Sequence, residues 1–370
     1  VLTKTFTGAD AWYLRESIVE AGLDPDALVG KDKMDWSNSQ GQLKAWKNIW
    51  SAGQGVNHIH AVEPTAADST LRPCSTSEVT VTAGATQAIL TAVLSIVSPG
   101  DEVIVLEPCY DSYVPNIVLA GGTVVRVALQ AGSFRPDFDA IAQAITPRTR
   151  ALIVNTPHNP SATIWRAADF ARLAELLRPT DIVLISDEVY EHMVYDGEPH
   201  ASASAHPELA ARAFVVSSFG KTFHVTGWKI GTVAAPAPLT AEFRKVHQFN
   251  VFTVNTPMQH GLARYLANPA PYLELPAFYQ RKRDLFRAGL AGTRFRLLPS
   301  EGSYFQVVDY SDISSLSEGE FCQWLTTEIG VAAIPLSAFY DDGRNQGLAR
   351  FCYAKKDDTL QAALARLARL

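Results

Sequence analysis

The chain has 370 residues, of which 47% are hydrophobic and 19% charged, and its formal net charge is −6. This apolar content excludes a disordered chain, because it is enough to bury a large core. Acidic residues outnumber basic ones by 38 to 32, so no nucleic-acid partner is expected. The longest near-apolar stretch, 88–97, has about half the ~20 residues that a membrane-spanning helix needs, so no membrane association is expected either.

The sequence predicts a cytoplasmic location. Residues 1–5 show no charged-then-apolar pattern of a signal peptide. The four cysteines are far apart and form no C-x-x-C pair, which argues against a disulfide framework and against a zinc site.

Residues 1–77 form an atypical N-terminal segment. Four of the seven tryptophans lie within the first fifty residues. The pattern predicts an amphipathic helix over 9–21 and loop over 31–61, where Ser, Gly, Gln and Asn interrupt any periodicity. His58 and His60 have the spacing of two metal ligands, but no further ligands cluster near them, which favours ordinary loop histidines.

From residue 78 onward, short runs rich in Val and Ile alternate with helical stretches. Because strands buried on both faces produce such runs, the pattern predicts an α/β fold with a mostly parallel sheet covered by helices. A helix over 85–97 ends at a Ser-Pro-Gly stop signal. The seven predicted strands are 78–82, 102–106, 123–128, 151–155, 182–186, 214–218 and 230–234.

After residue 271 the alternation of strand-like runs and helical stretches changes, and the new pattern predicts a second, smaller α+β domain. Its expected elements are helices over 273–291 and 318–328 and strands over 304–308 and 349–353. The predicted organisation is therefore the N-terminal segment 1–77, a large domain 78–270 and a small domain 271–370.

Lys221 carries the strongest chemical signal, because it comes just after a buried strand. Burial disfavours a charged amine, and a desolvated lysine is a candidate nucleophile that forms Schiff bases. A surface lysine in a turn is the alternative. Ser218-x-x-Lys221 lacks the Ser-Asp-Asn partner of penicillin-binding enzymes, and Gly220-Lys221-Thr222 lacks the earlier glycine of a P-loop, where Val215 stands.

Two further segments follow strands. Gly84-Ala85-Thr86 opens a helix, and the free backbone N–H groups of a helix N-terminus bind anions. Asn159-Pro160 forms a turn after the strand that ends at residue 155. Ordinary connecting turns explain both segments equally well when each is taken alone.

Two charged residues occupy apolar strands. Asp187 closes one strand, at the carboxyl end where α/β sheets build their sites, although a solvated strand end or a helix cap is the alternative. Arg350 lies inside another strand and needs a partner. A substrate carboxylate and a structural ion pair both satisfy that need.

In order and spacing, residues 78–370 resemble fold-type I aminotransferases, which use pyridoxal 5′-phosphate (PLP). The resemblance is greatest to the methionine and kynurenine (glutamine-type) branch, whose sequences are close to segments 107–113, 157–161 and 217–231. It implies the fold-type I architecture, in which a mostly parallel seven-stranded sheet domain carries a smaller α+β domain.

The resemblance also implies roles for individual residues. Lys221 would form the Schiff base with PLP and act as acid and base, while Asp187 would keep the ring nitrogen protonated. Tyr110 would stack on the ring, and Asn159 and Tyr190 would hydrogen-bond its phenolic oxygen. Arg350, with Asn159, would bind the substrate carboxylate. The implied phosphate-binding set is Gly84, Ala85, Thr86, Ser218 and Lys229.

The implied activity is ping-pong transamination between an L-amino acid of the methionine, aromatic, glutamine or kynurenine type and a 2-oxo acid. A homodimer is expected, with segment 251–257 facing the partner's cofactor. Two alternatives stay open: a cysteine-S-conjugate β-lyase of the same fold, and a catalytically impaired PLP-binding homologue. The second rests on residues 1–77, which lack the Gly-containing loop and the Asn-x-Tyr stretch of the family. A divergent arm, an unrelated replacement and an altered reading frame each explain that difference.

Overall fold

A computed structural model describes residues 75–370, together with Leu2–Thr3, Ala11–Trp12, Val19, Asp24 and Asp26. Leu2–Thr3 and Ala11–Trp12 pair as antiparallel strands. The helix expected over 9–21 is therefore wrong at Ala11–Trp12, because this backbone is extended and hydrogen-bonded across to another strand. Val19 is helical. The rest of the N-terminal segment, including His58 and His60, lies outside the described residues.

Seven strands form the large sheet, in the order β1-β7-β6-β5-β4-β2-β3. Strand β7 runs antiparallel to both of its neighbours, and all other adjacent pairs are parallel. The predicted mostly parallel seven-stranded sheet is thus confirmed. The strands are β1 (Val79–Thr82), β2 (Glu102–Glu107), β3 (Thr123–Ala128), β4 (Thr149–Asn155), β5 (Val183–Asp187), β6 (Ala213–Ser218) and β7 (Gly231–Ala234).

Helices cover both faces of this sheet, which explains why the central strands are apolar throughout. Every residue of β2 and β5 is buried, whereas the edge strand β3 is mostly exposed or half-buried. The helices of this part are α1 (Gly84–Ile96), α2 (Tyr113–Leu119), α3 (Phe138–Ala144), α4 (Ala167–Leu177), α5 (Pro207–Ala210), α6 (Phe219–Thr222), α7 (Ala237–Asn250) and α8 (Thr256–Leu266).

A second, antiparallel sheet has the strand order β8-β9-β11-β10. Its edge strands have two residues each, which is too few to show periodicity, so the sequence did not predict them. The strands are β8 (Arg296–Leu297), β9 (Phe305–Asp309), β10 (Ile334–Pro335) and β11 (Leu348–Cys352). The helices beside them are α9 (Ala270–Leu273), α10 (Leu275–Leu290), α11 (Glu318–Trp324) and α12 (Asp357–Leu367).

Two helix predictions for this part are wrong in their extent. The helix expected over 273–291 is divided at Glu274, and Pro276 stands in the first turn of α10. Proline lacks the N–H that a continuous helix would use and is tolerated only at a helix start. The helix expected over 318–328 ends at Trp324 and continues as a π-helical turn, Leu325–Ile329, before Gly330 takes a φ of 73°.

The segment 301–304 joins the two sheets. The backbone N–H of Gly302 donates to Ala162 O at 3.0 Å, and that of Ser303 donates to Met193 O at 2.9 Å. A Cβ on Gly302 would lie 2.7 Å from Cβ of Pro157 and 2.8 Å from Met193 O, so only glycine fits here. The start of β9 is therefore held close to the carboxyl ends of the large sheet's strands. No helix of the described residues has the length and apolar character needed to cross a membrane.

Candidate active site

The candidate site lies where β4, β5 and β6 end. Asp187, the last residue of β5, pairs in register with Asn155 of β4 and with Val216 of β6. Lys221 follows in α6, three residues after β6 ends at Ser218. Parallel strands place their carboxyl ends at one edge of a sheet, and this edge is the usual binding position in α/β folds.

The Asp187 carboxyl is buried, with 4% of the residue exposed. Its Oδ2 accepts a 2.6 Å hydrogen bond from the Tyr113 hydroxyl, and its Oδ1 accepts a longer one, 3.4 Å, from the Val189 N–H. Burial raises the pKa of Asp187 to about 6, whereas these hydrogen bonds and the charge of Lys221 act to lower it. A buried carboxyl of this kind is stabilised in its charged form by a cationic partner.

Tyr113, which contacts the Asp187 carboxyl, was not among the expected site residues. Burial and the nearby Asp187 raise the pKa of Tyr113 well above its ordinary value, so its hydroxyl stays protonated and donates. Its ring packs edge-on against Tyr110, with centroids 5.7 Å apart. The available signal was a pair of tyrosines three residues apart, with Tyr110 in the loop before α2 and Tyr113 as the first residue of that helix.

The Lys221 amine lies among aromatic rings. Its Nζ donates a 3.2 Å hydrogen bond to the Tyr304 hydroxyl and lies 5.6 Å from the centroid of the Tyr190 ring. Tyr190 is buried, and this burial raises the pKa of its hydroxyl well above the ordinary value. Lys221 itself is half-buried. The expected lysine close to the end of β6 is therefore present in a largely apolar setting, as its proposed chemistry requires.

Arg350 of β11 extends from the second sheet toward the same place. One of its guanidinium nitrogens, Nη1, donates to Oδ1 of Asn159, and its central carbon lies 4.1 Å from the Phe305 ring and 4.7 Å from the Phe339 ring. Its Nε is buried and has no hydrogen-bond partner among the described residues. A buried donor of this kind calls for an acceptor, and a carboxylate is the acceptor that a guanidinium binds best.

Hydrogen bonds connect this arginine to Asp187. The backbone N–H of Asn159 donates to Oδ1 of Asn155 at 2.7 Å. The side-chain amide of Asn155 in turn donates to the carbonyl oxygen of Asp187 at 2.8 Å. Because Asn159 also accepts from Arg350, these hydrogen bonds link the backbone of Asp187 to the guanidinium.

The N-terminus of α1 and Lys229 form a cationic cradle. No side chain caps this helix, and Gly84 opens it with a φ of +79°. A Cβ on Gly84 would lie 3.2 Å from Cε and 3.3 Å from Nζ of Lys229, so the missing side chain lets the ammonium group approach the helix. A Cβ on Gly231 would lie 3.1 Å from the Ala85 nitrogen. Backbone N–H groups and an ammonium at one helix end suit a phosphate.

The structure places most of the expected site residues in two groups, and the members of each group lie close together. Asp187, Lys221, Tyr190, Asn159 and Arg350 are linked by the contacts described above, whereas Gly84, Ala85 and Lys229 meet at the start of α1. Tyr110 contacts this first group through the ring of Tyr113. Thr86 lies exposed in the first turn of α1, and Ser218 lies buried at the end of β6. The phenyl rings beside Arg350 and the hydroxyls of Tyr113 and Tyr304 are contacts that the sequence analysis did not find.

The remaining titratable side chains look structural. His158 and His247 are buried, and this burial lowers the pKa of each imidazole to about 4. His224 is exposed. Within the part of the chain that the structure describes, no three His, Cys, Asp or Glu side chains are grouped to hold a metal ion.

Comparison with known proteins identifies relatives of the whole patterned region. The family model described as aminotransferase class I and II matches residues 65–367. The chain is 54% identical over 300 residues to the methionine aminotransferase of Escherichia coli, which covers 81% of this chain and 78% of that protein. It is also 34% identical over 324 residues to kynurenine–oxoglutarate transaminase 1 of Rattus norvegicus, with 79% and 77% of the two chains covered.

The fold has a counterpart among solved structures. A crystal structure that identified a methionine aminotransferase function in E. coli YbdL matches with a TM-score of 0.82 and 50% sequence identity. The match covers 86% of this chain and 83% of the other. The range matched by the family model, residues 65–367, includes all of the elements that form the candidate site.

Proposed function

Because this chain belongs to the class I and II aminotransferase family, we propose that it binds PLP and transfers the amino group of an L-amino acid with an unbranched or aromatic side chain to a 2-oxo acid. Membership of this family confirms the expected aminotransferase activity and the expected fold. The relative that is 54% identical acts on methionine, which supports L-methionine as the first donor to test.

The residues present fit PLP at each of its functional groups. The Lys221 amine suits the aldehyde, the buried Asp187 carboxyl suits a protonated ring nitrogen, and the cradle of Gly84 and Lys229 suits the phosphate. The unpartnered Nε of Arg350 suits the carboxylate of an amino acid. When bound, PLP supplies an electron sink that makes the α-proton of an amino acid removable.

The protein's own groups then have separate tasks. Arg350 holds the substrate's α-carboxylate through charge-assisted hydrogen bonds, and its flanking rings keep the guanidinium in one orientation. The Nζ of Lys221 removes the proton from the α-carbon and later returns a proton. Asp187 holds its negative charge against the ring nitrogen, in a buried setting where that attraction is strong. The walls formed by Tyr190 and Tyr304 exclude water from the amine.

One observation carries the proposal: the hydrogen-bonded chain from Asp187 through Asn155 and Asn159 to Arg350. It fixes the backbone of Asp187, whose buried carboxyl suits a cationic ring, relative to the half-buried guanidinium of Arg350, which suits a carboxylate. A structural ion pair does not describe Arg350. Its guanidinium donates to the side-chain amide of Asn159 rather than to a carboxylate, and its Nε–H group has no acceptor among the described residues. Bound PLP, with its ring nitrogen protonated, and the carboxylate of an amino acid would together supply both missing charges.

Absorption spectroscopy tests the cofactor half of the proposal. Purified protein mixed with PLP should develop the visible band of a lysine-bound cofactor, and Lys221→Ala should lack it. Lys245→Ala is the matched control, because Lys245 is an exposed helical lysine that pairs with Glu242. Persistence of the same band in Lys221→Ala would remove Lys221 from the assignment.

A donor panel tests the reaction itself. The PLP-loaded protein is mixed with methionine, phenylalanine, glutamine or kynurenine and with one of several 2-oxo acids, and the new amino acid is quantified. Amino transfer that depends on the 2-oxo acid supports the proposal. Release of pyruvate and ammonia from a cysteine S-conjugate without any acceptor would instead indicate a β-lyase. Cofactor binding without turnover of any donor would indicate an impaired homologue.

We also propose that the chain works as a homodimer. Large apolar side chains are exposed near the end of α7 and on α8, among them Phe249 at 83%, Phe252 at 50% and Tyr265 at 51%. Phe252 lies within segment 251–257, which is expected to face the partner's cofactor. Exposed apolar area of this kind favours a protein partner. Light scattering should give twice the mass of one chain, and the double variant Phe249→Ser, Phe252→Ser should shift the protein toward monomer.

A further inference from the structure

The hydroxyl of Tyr304 is the hydrogen-bond acceptor that the structure gives to the Lys221 amine, at 3.2 Å. Tyr304 comes from outside the strand ends that carry Lys221 and Asp187, since it immediately precedes β9 of the second sheet. Neither the sequence motifs nor the proposed function gives this hydroxyl a task. Its contact with the reactive amine therefore needs an explanation of its own.

Packing holds the Tyr304 ring on three sides. The Tyr190 ring meets it edge-on with centroids 5.2 Å apart, the Tyr279 ring lies at 5.8 Å, and the neighbouring Phe305 ring lies at 4.8 Å. A ring confined in this way has little rotational freedom, so its hydroxyl is a fixed point for the amine.

The backbone fixes the same residue from both sheets. The carbonyl of Tyr304 accepts a 3.0 Å hydrogen bond from the N–H of Tyr353, at the end of β11, while the preceding Ser303 is bonded to Met193 of the large-sheet part. The position of Tyr304 is therefore set by the framework, and the flexible side chain in this pair is that of Lys221.

We propose that Tyr304 is a positioning residue for Lys221, whose hydroxyl holds Nζ whenever that amine is not bonded to the cofactor. This inference rests on the proposed function, in which the amine is free during each half-reaction and must move a proton at the α-carbon. A lysine has four flexible side-chain bonds, and a hydrogen bond at its tip removes unproductive orientations. Tyr304 acts through Lys221 and needs no contact with the substrate.

Limited acetylation of the cofactor-free protein tests the contact directly. Acetic anhydride is added in small amounts, and peptide mass spectrometry compares the labelling rate of Lys221 with that of the exposed Lys245. In Tyr304→Phe the amine no longer has to break this hydrogen bond before it reacts, so we expect Lys221 to be labelled about three- to tenfold faster. Tyr279→Phe is the control, because it removes a hydroxyl from the same cluster of rings and leaves the Lys221 contact in place.

Steady-state kinetics of the PLP-loaded variants give the second measurement. The freed amine is less often correctly placed, so kcat for the best donor should fall about three- to tenfold in Tyr304→Phe. KM should stay within about twofold, because a single hydroxyl that does not touch the substrate contributes little to its binding. Tyr279→Phe should match the wild type in both constants.

The outcomes separate this inference from the proposed function. PLP added before the anhydride should protect Lys221 in every variant, and absence of protection in the wild type would contradict the proposed function itself. Protection combined with equal labelling rates in wild type and Tyr304→Phe would overturn the positioning role. A rise in KM with unchanged kcat would overturn it as well, since that result assigns Tyr304 to substrate binding.

Discussion

The Tyr113 hydroxyl donates a 2.6 Å hydrogen bond to Asp187, and both residues are buried. The bond favours the ionised carboxyl, whereas burial favours the neutral one and raises the pKa of Asp187 to about 6. Tyr113 therefore acts to keep Asp187 charged at neutral pH. A charged Asp187 is what a protonated ring nitrogen requires, so we expect the hydroxyl of Tyr113 to affect cofactor binding through Asp187.

We expect Tyr113→Phe to weaken PLP binding at pH 7 by about tenfold or more, the usual effect of losing a hydrogen bond to a charged group. Without the donor the pKa of Asp187 rises further, so the loss should shrink as the pH is raised and the carboxyl ionises. The loss of affinity is measured by titrating each protein with PLP at pH 6, 7 and 8 and following the visible band. Tyr310→Phe is the control, since its buried hydroxyl donates to the Leu316 carbonyl in the other part of the molecule. Equal affinities in the two variants would contradict the role of Tyr113.

The raised pKa of Asp187 predicts opposite pH trends for cofactor binding and for the stability of the cofactor-free protein. The unfolded chain has an Asp187 pKa of about 3.9, so between about pH 4 and 6 the folded protein binds the proton more tightly than the unfolded chain does. The contribution of Asp187 to the free energy of unfolding is therefore largest below this range and declines as the pH rises through 6. PLP affinity changes in the other direction, because the ring nitrogen needs the carboxylate.

Asp187→Asn removes both trends, so the difference between wild type and this variant isolates them. The comparison with the variant is needed because burial also raises the pKa of Glu191, to about 7. The titration of Glu191 contributes to both proteins and cancels in their difference. Melting temperatures of the cofactor-free proteins and PLP dissociation constants from pH 5 to 8 are the required data. Parallel curves for wild type and variant would show that Asp187 does not titrate in this range.

The large sheet was predictable because its central strands are buried on both faces. β4 and β5 contain the uninterrupted apolar runs 151–154 and 183–185, and each strand was placed to within two residues. The second sheet was harder. β8 and β10 have two residues each, and their pairing with β9 and β11 is a long-range contact that leaves no local periodicity.

The candidate site was predictable where one residue type carries the chemistry. Asp187 and Arg350 are charged residues in apolar strands, and Lys221 is a charged residue that closely follows one. The family resemblance gave each of them a role. The hydroxyl of Tyr113 and the Phe339 ring beside Arg350 could not be found in the same way. In the sequence, both are aromatic residues with no neighbouring motif. Only the packing of separate elements shows that Tyr113 contacts Asp187 and that Phe339 contacts Arg350.

Arg350 should be required for substrate binding and dispensable for cofactor binding. We expect Arg350→Gln to lower kcat/KM for the best donor by about tenfold to a hundredfold, because a charge-assisted pair with the carboxylate is lost. Arg350→Lys should recover only part of this, since an ammonium group cannot stack between the Phe305 and Phe339 rings as a planar guanidinium does. PLP affinity should be unchanged in both variants. An unchanged kcat/KM in Arg350→Gln would place the carboxylate elsewhere.

The phosphate cradle depends on the missing side chain of Gly84. Alanine there has two separable effects: the strain of a φ of +79°, and a Cβ within 3.3 Å of the Lys229 amine. Gly100→Ala reproduces the first effect alone, because φ is +99° and nothing lies within 4 Å of the added Cβ. The two variants should therefore lose similar stability, about 1 kcal/mol by the usual cost of alanine at positive φ.

Only Gly84→Ala should lose affinity for the cofactor. The added methyl displaces the Lys229 ammonium from the N-terminus of α1, which removes a charge-assisted contact and should weaken PLP binding about tenfold. Inorganic phosphate, tested as a competitor of PLP capture, should also bind less tightly to this variant than to Gly100→Ala. Thermal melting gives the stability of each protein, and titration of the visible band gives the affinity. If both variants bound PLP as the wild type does, the phosphate would have to lie away from this cradle.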